Sequence, residues 1–435
     1  MMKNNNKGKG KGKEKEKEKE KSNYYDVIII GSGIAGLYSA FNIKNMSPNT
    51  SFMVLEKYKK QWIGGRINNE EFYGTTVVTG AGIGRKEKDH LLVDLLERLN
   101  ITYTDFSMNV KYIIKEAVPA NINAIIRDLK KKYNNQSGPS MTFKQFAKAN
   151  LDNKTYNNFI VTTGYTDYEN EDVYQTLYKY GMDDNSTGWT GLDIPWHQLI
   201  QKLVHTIGSQ YVRSSNNVIQ IEKLSDKPCL FELTTEKGER YHCNKVIVAT
   251  TITSIHKLLP QYKIYNQIKS QPFLRLYAKF PKASAEIMRQ LVPTYTVVSG
   301  YLQKIIPMSL EKGVYMIAYS DNKNADALKD HLENTMVNRE FFCNILEKTL
   351  NLPEHTLKIT ALLSFYWPVG THYYIPSNDV DGIHNRRAEF IDKAQHPMPG
   401  IIVVGEVVSS HQGWTEGALE SVSKVLTKHW INTEC

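Results

Sequence analysis

Between the apolar run Tyr25-Asp26-Val27-Ile28-Ile29-Ile30 and a stretch carrying Leu37, Ala40, Phe41 and Ile43 stands Gly31-Ser32-Gly33-Ile34-Ala35-Gly36, a GxGxxG spacing. The run is short and rich in β-branched residues, which predicts a strand buried on both faces. The spacing after it predicts a helix, and Ser51 to Glu56 predicts a second strand, so the segment reads as a βαβ unit. In such a unit the first glycine permits the tight turn. The second lets backbone approach a pyrophosphate, and the third lets helix and strand pack closely. The helix N-terminus offers amide donors and partial positive charge to phosphates. Glu56, twenty residues past Gly36, stands where a carboxylate accepts both ribose hydroxyls of an adenosine. A bound dinucleotide follows, although the motif does not choose between FAD and NAD.

The rest of the chain divides by pattern. Asp89 to Leu99 is an amphipathic helix, and Ala117 to about Thr190 mixes helical patterns with Asn, Asp, Gly and Tyr, as an inserted domain does. Pro195 opens a helix through His205. Strands follow at Val218–Ile221, Leu230–Thr234 and Lys245–Ala249, with Glu236-Lys237-Gly238-Glu239 as a hairpin turn. Leu274–Phe280 and Val314–Tyr319 read as strands and Asn338–Leu350 as a helix. Gly400–Val404 is a last buried strand and Trp414–Trp430 a last helix. An α/β pattern at both ends with mixed segments between predicts a doubly wound domain that the chain leaves twice to build a second one.

The formal net charge of +9 invites a nucleic-acid reading, but residues 1–22 hold nine Lys and four Glu, which is +5 of it. That KGKGKG and KEKEKE segment lacks aromatic and β-branched residues, so it is expected to be a solvated, disordered tail, and no nucleic-acid partner is expected. No run of 18 apolar residues occurs and no apolar signal core follows the first methionine, which predicts an intracellular, cytoplasmic protein without a membrane span. Cys229, Cys243, Cys343 and Cys435 show no CxxC spacing, so they are expected to be reduced, and no metal site is expected.

Four further segments decide between cofactors: Trp62-Ile63-Gly64-Gly65-Arg66, Thr79-Gly80-Ala81-Gly82-Ile83-Gly84, Gly405-Glu406, and Gly413-Trp414-Thr415-Glu416-Gly417-Ala418. Together with the glycine motif they resemble the flavin-containing amine oxidase superfamily, which includes monoamine and polyamine oxidases. The resemblance implies a Rossmann-type FAD-binding domain with an inserted mixed α+β substrate domain. Residues 23–88, 195–267 and 395–435 would form the first, and 89–194 and 268–394 the second. It implies FAD contacts from Gly31, Ser32, Gly33, Ile34, Ala35, Gly36, Glu56, Gly64, Gly65, Arg66, Gly80, Ala81, Gly82, Val218, Gly405, Glu406, Trp414 and Thr415. Animal monoamine oxidases tether FAD to a cysteine just before the first cage aromatic; Tyr366 stands there, so FAD is expected to be noncovalent.

On the reacting face the segment Ser364–Tyr374 resembles the one that brings an aromatic and then a glycine to the flavin. With Trp414, Trp367 would flank a substrate nitrogen, an arrangement that suits a neutral amine. The family places a lysine, bridged by water to flavin N5, at the start of a strand. Here Arg275 takes that place, with Lys279 four residues on along the same face. Arginine stays protonated and binds carboxylates in bidentate fashion, so Arg275 is expected either to position water or to recognise an acidic group. The resemblance implies oxidation of an amine C–H beside nitrogen, with hydride passing to flavin N5, hydrolysis of the imine, and reoxidation by dioxygen to hydrogen peroxide. Two other readings stand beside it: an FAD-dependent desaturase or oxidase of a non-amine substrate, and a flavin-binding protein without turnover.

Overall fold

The expected first strand, β1 (Tyr24–Ile30), runs through the middle of a sheet in which both neighbours are parallel to it. The computed structural model describes residues 23–115, 118–133, 141–182, 188–226, 229–376 and 383–433, so the charged segment 1–22 and Cys435 lie outside the described residues. Val27, Ile28 and Ile29 are wholly buried, and each such side chain contributes roughly 1.5–3 kcal/mol. On one side β1 pairs with β2 (Phe52–Leu55) and on the other with β3 (Arg240–Val248). Val212–Arg213 lies beyond β2, and Cys229–Thr235 followed by Val218–Asp226 lies beyond β3, joined by a hairpin whose turn is closed by Gly238 at φ 78°. The last strand, Ile401–Val403, also pairs with β3, parallel, with Ile401 opposite Val246.

That pairing positions the site. Because β1, β3 and Ile401–Val403 are parallel and in register, Gly31 and Gly405 leave the sheet at the same edge although 374 residues separate them. From that edge start α1 (Ile34–Met46) and α2 (Thr415–Val425), which lie together, with the Tyr38 and Ser423 hydroxyls 3.4 Å apart.

A second sheet of six strands among the described residues is built on β4 (Ile268–Lys279), β5 (Lys304–Ser309), β6 (Val314–Asp321) and β7 (Ala361–Tyr374). Its order is β7, β4, β6, β5, Thr296–Val298, Lys111–Ile113. β4 and β7 pair antiparallel from Ile268 opposite Tyr374 to Lys279 opposite Ala361, and the register shifts between Gln271 and Phe273. Pro272 sits in that gap, and a proline has no N–H to give the ladder. Against this sheet packs the helical insert, Ile122–Lys132, Phe143–Asn150, Asn153–Thr163 and Val173–Tyr178, around Leu129, Phe143, Phe159 and Tyr168. Four of its polar residues are caps: the side chains of Asn121, Thr142, Asp152 and Asp172 each accept from the first turn of one helix.

The mixed α/β architecture is as expected, with two corrections in detail, to the last helix and to Cys229. The final helix does not run from Trp414 to Trp430. It stops at Val425, and Thr427 accepts from Trp430 N to cap a separate short helix, Lys428–Asn432. The helix His90–Arg98 buries Leu92, Leu95 and Leu96 in a core cluster shared by Val27 and Ile29 of the first sheet and Tyr277 and Met316 of the second. Cys229 is disulfide-bonded, against the expectation of reduced cysteines, whereas Cys243 and Cys343 are free. No helix of the described residues is long and apolar enough to cross a membrane.

Candidate active site

The glycine motif forms a cradle whose tight and open places are distinct. A Cβ on Gly31 would lie 2.4 Å from the Ala249 carbonyl oxygen, and one on Gly36 would lie 2.0 Å from that of Gly31. Gly33 would meet nothing within 4 Å, which is the open approach a pyrophosphate needs. The α1 N-terminus, Ile34, Ala35 and Gly36, has no side-chain cap, so its first-turn amides are free for an anion. Glu56 is buried at the end of β2 and accepts from Ser32 N at 2.8 Å, Ser32 Oγ at 2.6 Å and Tyr58 N at 2.8 Å. A carboxylate offers about four lone-pair sites, so capacity for a ribose hydroxyl remains. The segment after Val212–Arg213 returns to Glu56, whose carbonyl accepts from Asn216 N at 2.7 Å, and Val218 two residues on is buried in the cluster that holds Leu55.

Gly64 and Gly65 take positive φ, 101° and 62°, and lie against the motif, with Gly64 N donating to the Ser32 carbonyl at 2.9 Å. Arg66 follows. Its carbonyl accepts from Ala81 N at 2.8 Å, and a Cβ on Gly80 would fall 2.2 Å from that oxygen. The ribbon from Val78 to Gly82 is then held from the other side by side chains. Val78 O accepts from the Tyr277 hydroxyl, Thr79 O from Trp367 Nε1 at 2.7 Å, Gly80 O from Arg275 Nε, and Gly82 O from Trp196 Nε1 at 3.3 Å. Arg275 is thus a positioning residue: buried, stacked 4.0 Å over the Tyr319 ring, with its guanidinium against Gly82. Lys279 shares its face of β4, but four residues carry it ~13 Å further along. There its ammonium donates to the Lys312 carbonyl at an exposed edge, which removes Lys279 from the site.

The C-terminal segment closes on the same place. Glu406 is buried and accepts from Arg66 Nη1 at 2.8 Å, from His372 Nδ1 at 2.5 Å and from Gly413 N at 3.1 Å. His372 Nε2 accepts from Ile252 N at 3.1 Å, which fixes the ring as the neutral Nδ1–H tautomer. The surrounding donors hold the Glu406 carboxyl well below the usual range even though burial opposes this. Trp414 and Trp367 have different partners. The Arg85 guanidinium lies 3.6 Å from the Trp414 ring and is itself paired with Asp89 at 2.6 Å. The Trp367 ring meets the edge of Trp62 at 5.9 Å. Thr415 opens α2, which has no side-chain cap, and Glu416 reaches away to accept from Leu91 N and Leu92 N.

Beside Arg275 lies a polar group that the sequence did not single out. Lys304, on β5, is wholly buried, its Nζ lies over the Tyr165 ring and 4.2 Å from that of Tyr319, and it has no hydrogen-bond partner among the described residues. Burial pushes its ammonium well down. Asp321 accepts from Thr166 N and Thr166 Oγ1 and from Gln303 Nε2, while Asp167 accepts from the Tyr180 hydroxyl at 2.6 Å. Burial, reinforced by Asp321, pushes Asp167 up to about 7. A lone Lys in a strand pattern carries no sequence signal for this; only the neighbouring strands and the insert create it.

The profile described as flavin containing amine oxidoreductase matches residues 34–422. No curated protein matches by sequence. Among solved structures the chain is similar to a putrescine oxidase with putrescine bound, at 14% identity and TM-score 0.70 over 92% of this chain and 98% of that one. It is similar also to cyclohexylamine oxidase from Brevibacterium oxydans IH-35A, at 16% identity and TM-score 0.71 over 94% and 98%. At such identities these two likenesses speak for the fold.

Proposed function

Because the chain belongs to the flavin-containing amine oxidoreductases, it is an FAD-dependent oxidoreductase, and we propose that it oxidises a small-molecule amine at the wall formed by Gly80–Gly82, Trp367 and Trp414. The cradle fits the cofactor: Gly31 to Gly36 and Gly64 to Arg66 would hold its pyrophosphate, Glu56 its ribose and Val218 its adenine. Gly80, Ala81, Gly82, Gly405, Glu406, Trp414 and Thr415 would hold its ring. Residues 23–88, 195–267 and 395–435 supply this half. Bound FAD supplies the two-electron acceptor for a C–H bond beside nitrogen, with dioxygen as the final acceptor.

The chain's own part is placement. Arg275 and Trp367 pin two successive carbonyls of the ribbon, so the wall that the amine meets is fixed before it binds. The observation that carries the reading is that Arg66 joins the two ends of the chain. It follows the Gly64–Gly65 turn on the motif and pairs with Glu406. Tyr366, in place of a cysteine, leaves FAD noncovalent, so heat denaturation without protease should release it all. Anaerobic mixing of the yellow protein with a panel of amines tests the function. Bleaching of the flavin, and peroxide release once air is admitted, are expected; oxidised spectra with every amine would refute it.

A further inference from the structure

Two tryptophans of the reacting wall are pins, Trp367 Nε1 donating to the Thr79 carbonyl at 2.7 Å and Trp196 Nε1 to that of Gly82 at 3.3 Å. Trp62 offers surface instead. Of the six tryptophans, all among the described residues, it alone is exposed, at 39%. It ends the short turn Lys60–Trp62. Ile63 beside it packs on the core that holds Val27 and Ile29, whereas the Trp62 ring turns outward and stands at 88° to that of Trp367, with centroids 5.9 Å apart.

Backbone fixes where that ring stands. Trp62 N donates to the Lys59 carbonyl at 2.9 Å, the Trp62 carbonyl accepts from Gly65 N at 3.0 Å, and Gly64 N donates to the Ser32 carbonyl at 2.9 Å. Gly64 also pairs with Gly33 as an isolated parallel bridge. Trp62 thus starts beside the turn that faces Gly33, the open approach for a pyrophosphate, and its ring ends against Trp367, which pins the ribbon that would hold the flavin ring. Bound FAD must run from the first of these landmarks to the second, because one ribityl chain joins its pyrophosphate to its ring. A side chain that leaves the first, touches the second and is open to water borders that connection on its solvent side. An indole suits such a place, since it brings a large rigid apolar face and keeps its N–H free to meet water.

We propose that Trp62 binds the cofactor, its indole lying along the ribityl chain and the adjoining edge of the flavin ring and shielding both from water. The assignment rests on FAD lying in the cradle described above and is independent of which amine reacts. Because the indole covers FAD without pinning it, its effect falls on the departure of FAD more than on its arrival.

The test measures FAD release from the FAD-loaded wild type, Trp62→Ala and Trp62→Phe after rapid dilution into FAD-free buffer, followed by the fluorescence of the freed FAD. Trp62→Ala is expected to release FAD roughly tenfold faster, with an association rate changed far less, and to shift the visible flavin bands. Trp62→Phe should restore most of both. The apoproteins should melt together, since Trp62 stands outside the core. Equal release by the wild type and Trp62→Ala would overturn the proposal. So would a Trp62→Ala apoprotein that melts lower in step with its faster release, or unchanged release with a raised KM for a reacting amine, which would put Trp62 on the substrate's path. Each of these results leaves FAD on the wild type and the cofactor reading standing, whereas a wild type that takes up no FAD would bring down both.

Discussion

The cofactor cradle and the reacting wall are built from opposite materials. The cradle is backbone: Gly31, Gly33, Gly36, Gly64 and Gly65 act through the absence of a side chain, and most of them lie within one βαβ unit. The wall is side chain: Arg275, Tyr277, Trp367 and Trp196 come from separate strands and a helix to hang one ribbon by its carbonyls. Buried acids differ likewise. Glu406 at the cradle is met by Arg66, His372 and Gly413 N and is held low. Glu171 in the helical insert accepts from the Thr176 hydroxyl and is pushed high by burial.

The largest effect that could break this contrast is Glu406→Ala. Removing one partner of a buried charged pair costs about 3–5 kcal/mol, so a large drop in melting temperature and loss of FAD are expected by calorimetry and absorbance. The group's folded pKa is depressed, so its contribution is present above its ordinary value of 4.5 and is lost as pH falls below it. The wild-type melting temperature should therefore drop below that pH, and that of Glu406→Gln should drop less steeply.

Gly36→Ala comes next. Its Cβ would press on the Gly31 carbonyl, and overpacking costs about 1–3 kcal/mol or more. The flavin-to-protein absorbance ratio should fall at least tenfold, while an unchanged ratio would show that the turn has room.

Trp367→Phe leaves the Thr79 carbonyl without its donor, at about 1–2 kcal/mol. It should lower kcat by severalfold with FAD content intact, and a loss confined to FAD binding would move Trp367 from wall to cradle. Lys279→Ala, at the exposed end of β4, should change turnover less than twofold.

How far the site was legible follows from the same contrast. Gly31–Gly36, Glu56 and the Gly64–Arg66 turn could be read because sterics tie each glycine to a neighbour in sequence or one strand away. Ile401–Val403 was legible as a buried strand, and its parallel pairing with β3 explains why Gly405 arrives beside Gly31. Arg275 was legible as a departure, but not its task, since the Gly80 carbonyl it holds is 195 residues away. Lys304 and Asp321 were not legible at all. Nothing in their local patterns distinguishes them, and burial by a distant insert makes them what they are. The last helix was misread because its apolar spacing continues through Leu426, while the cap at Thr427 resets the backbone.

The account's central claim is that the two ends of the chain hold one FAD between them. Titration of the purified protein with FAD, followed by flavin absorbance and fluorescence, measures this directly for the wild type, Gly36→Ala and Glu406→Ala. One tightly held FAD per chain in the wild type and severe loss in both variants is the predicted result. Full FAD retention in Glu406→Ala, or a wild type that stays colourless, would contradict it.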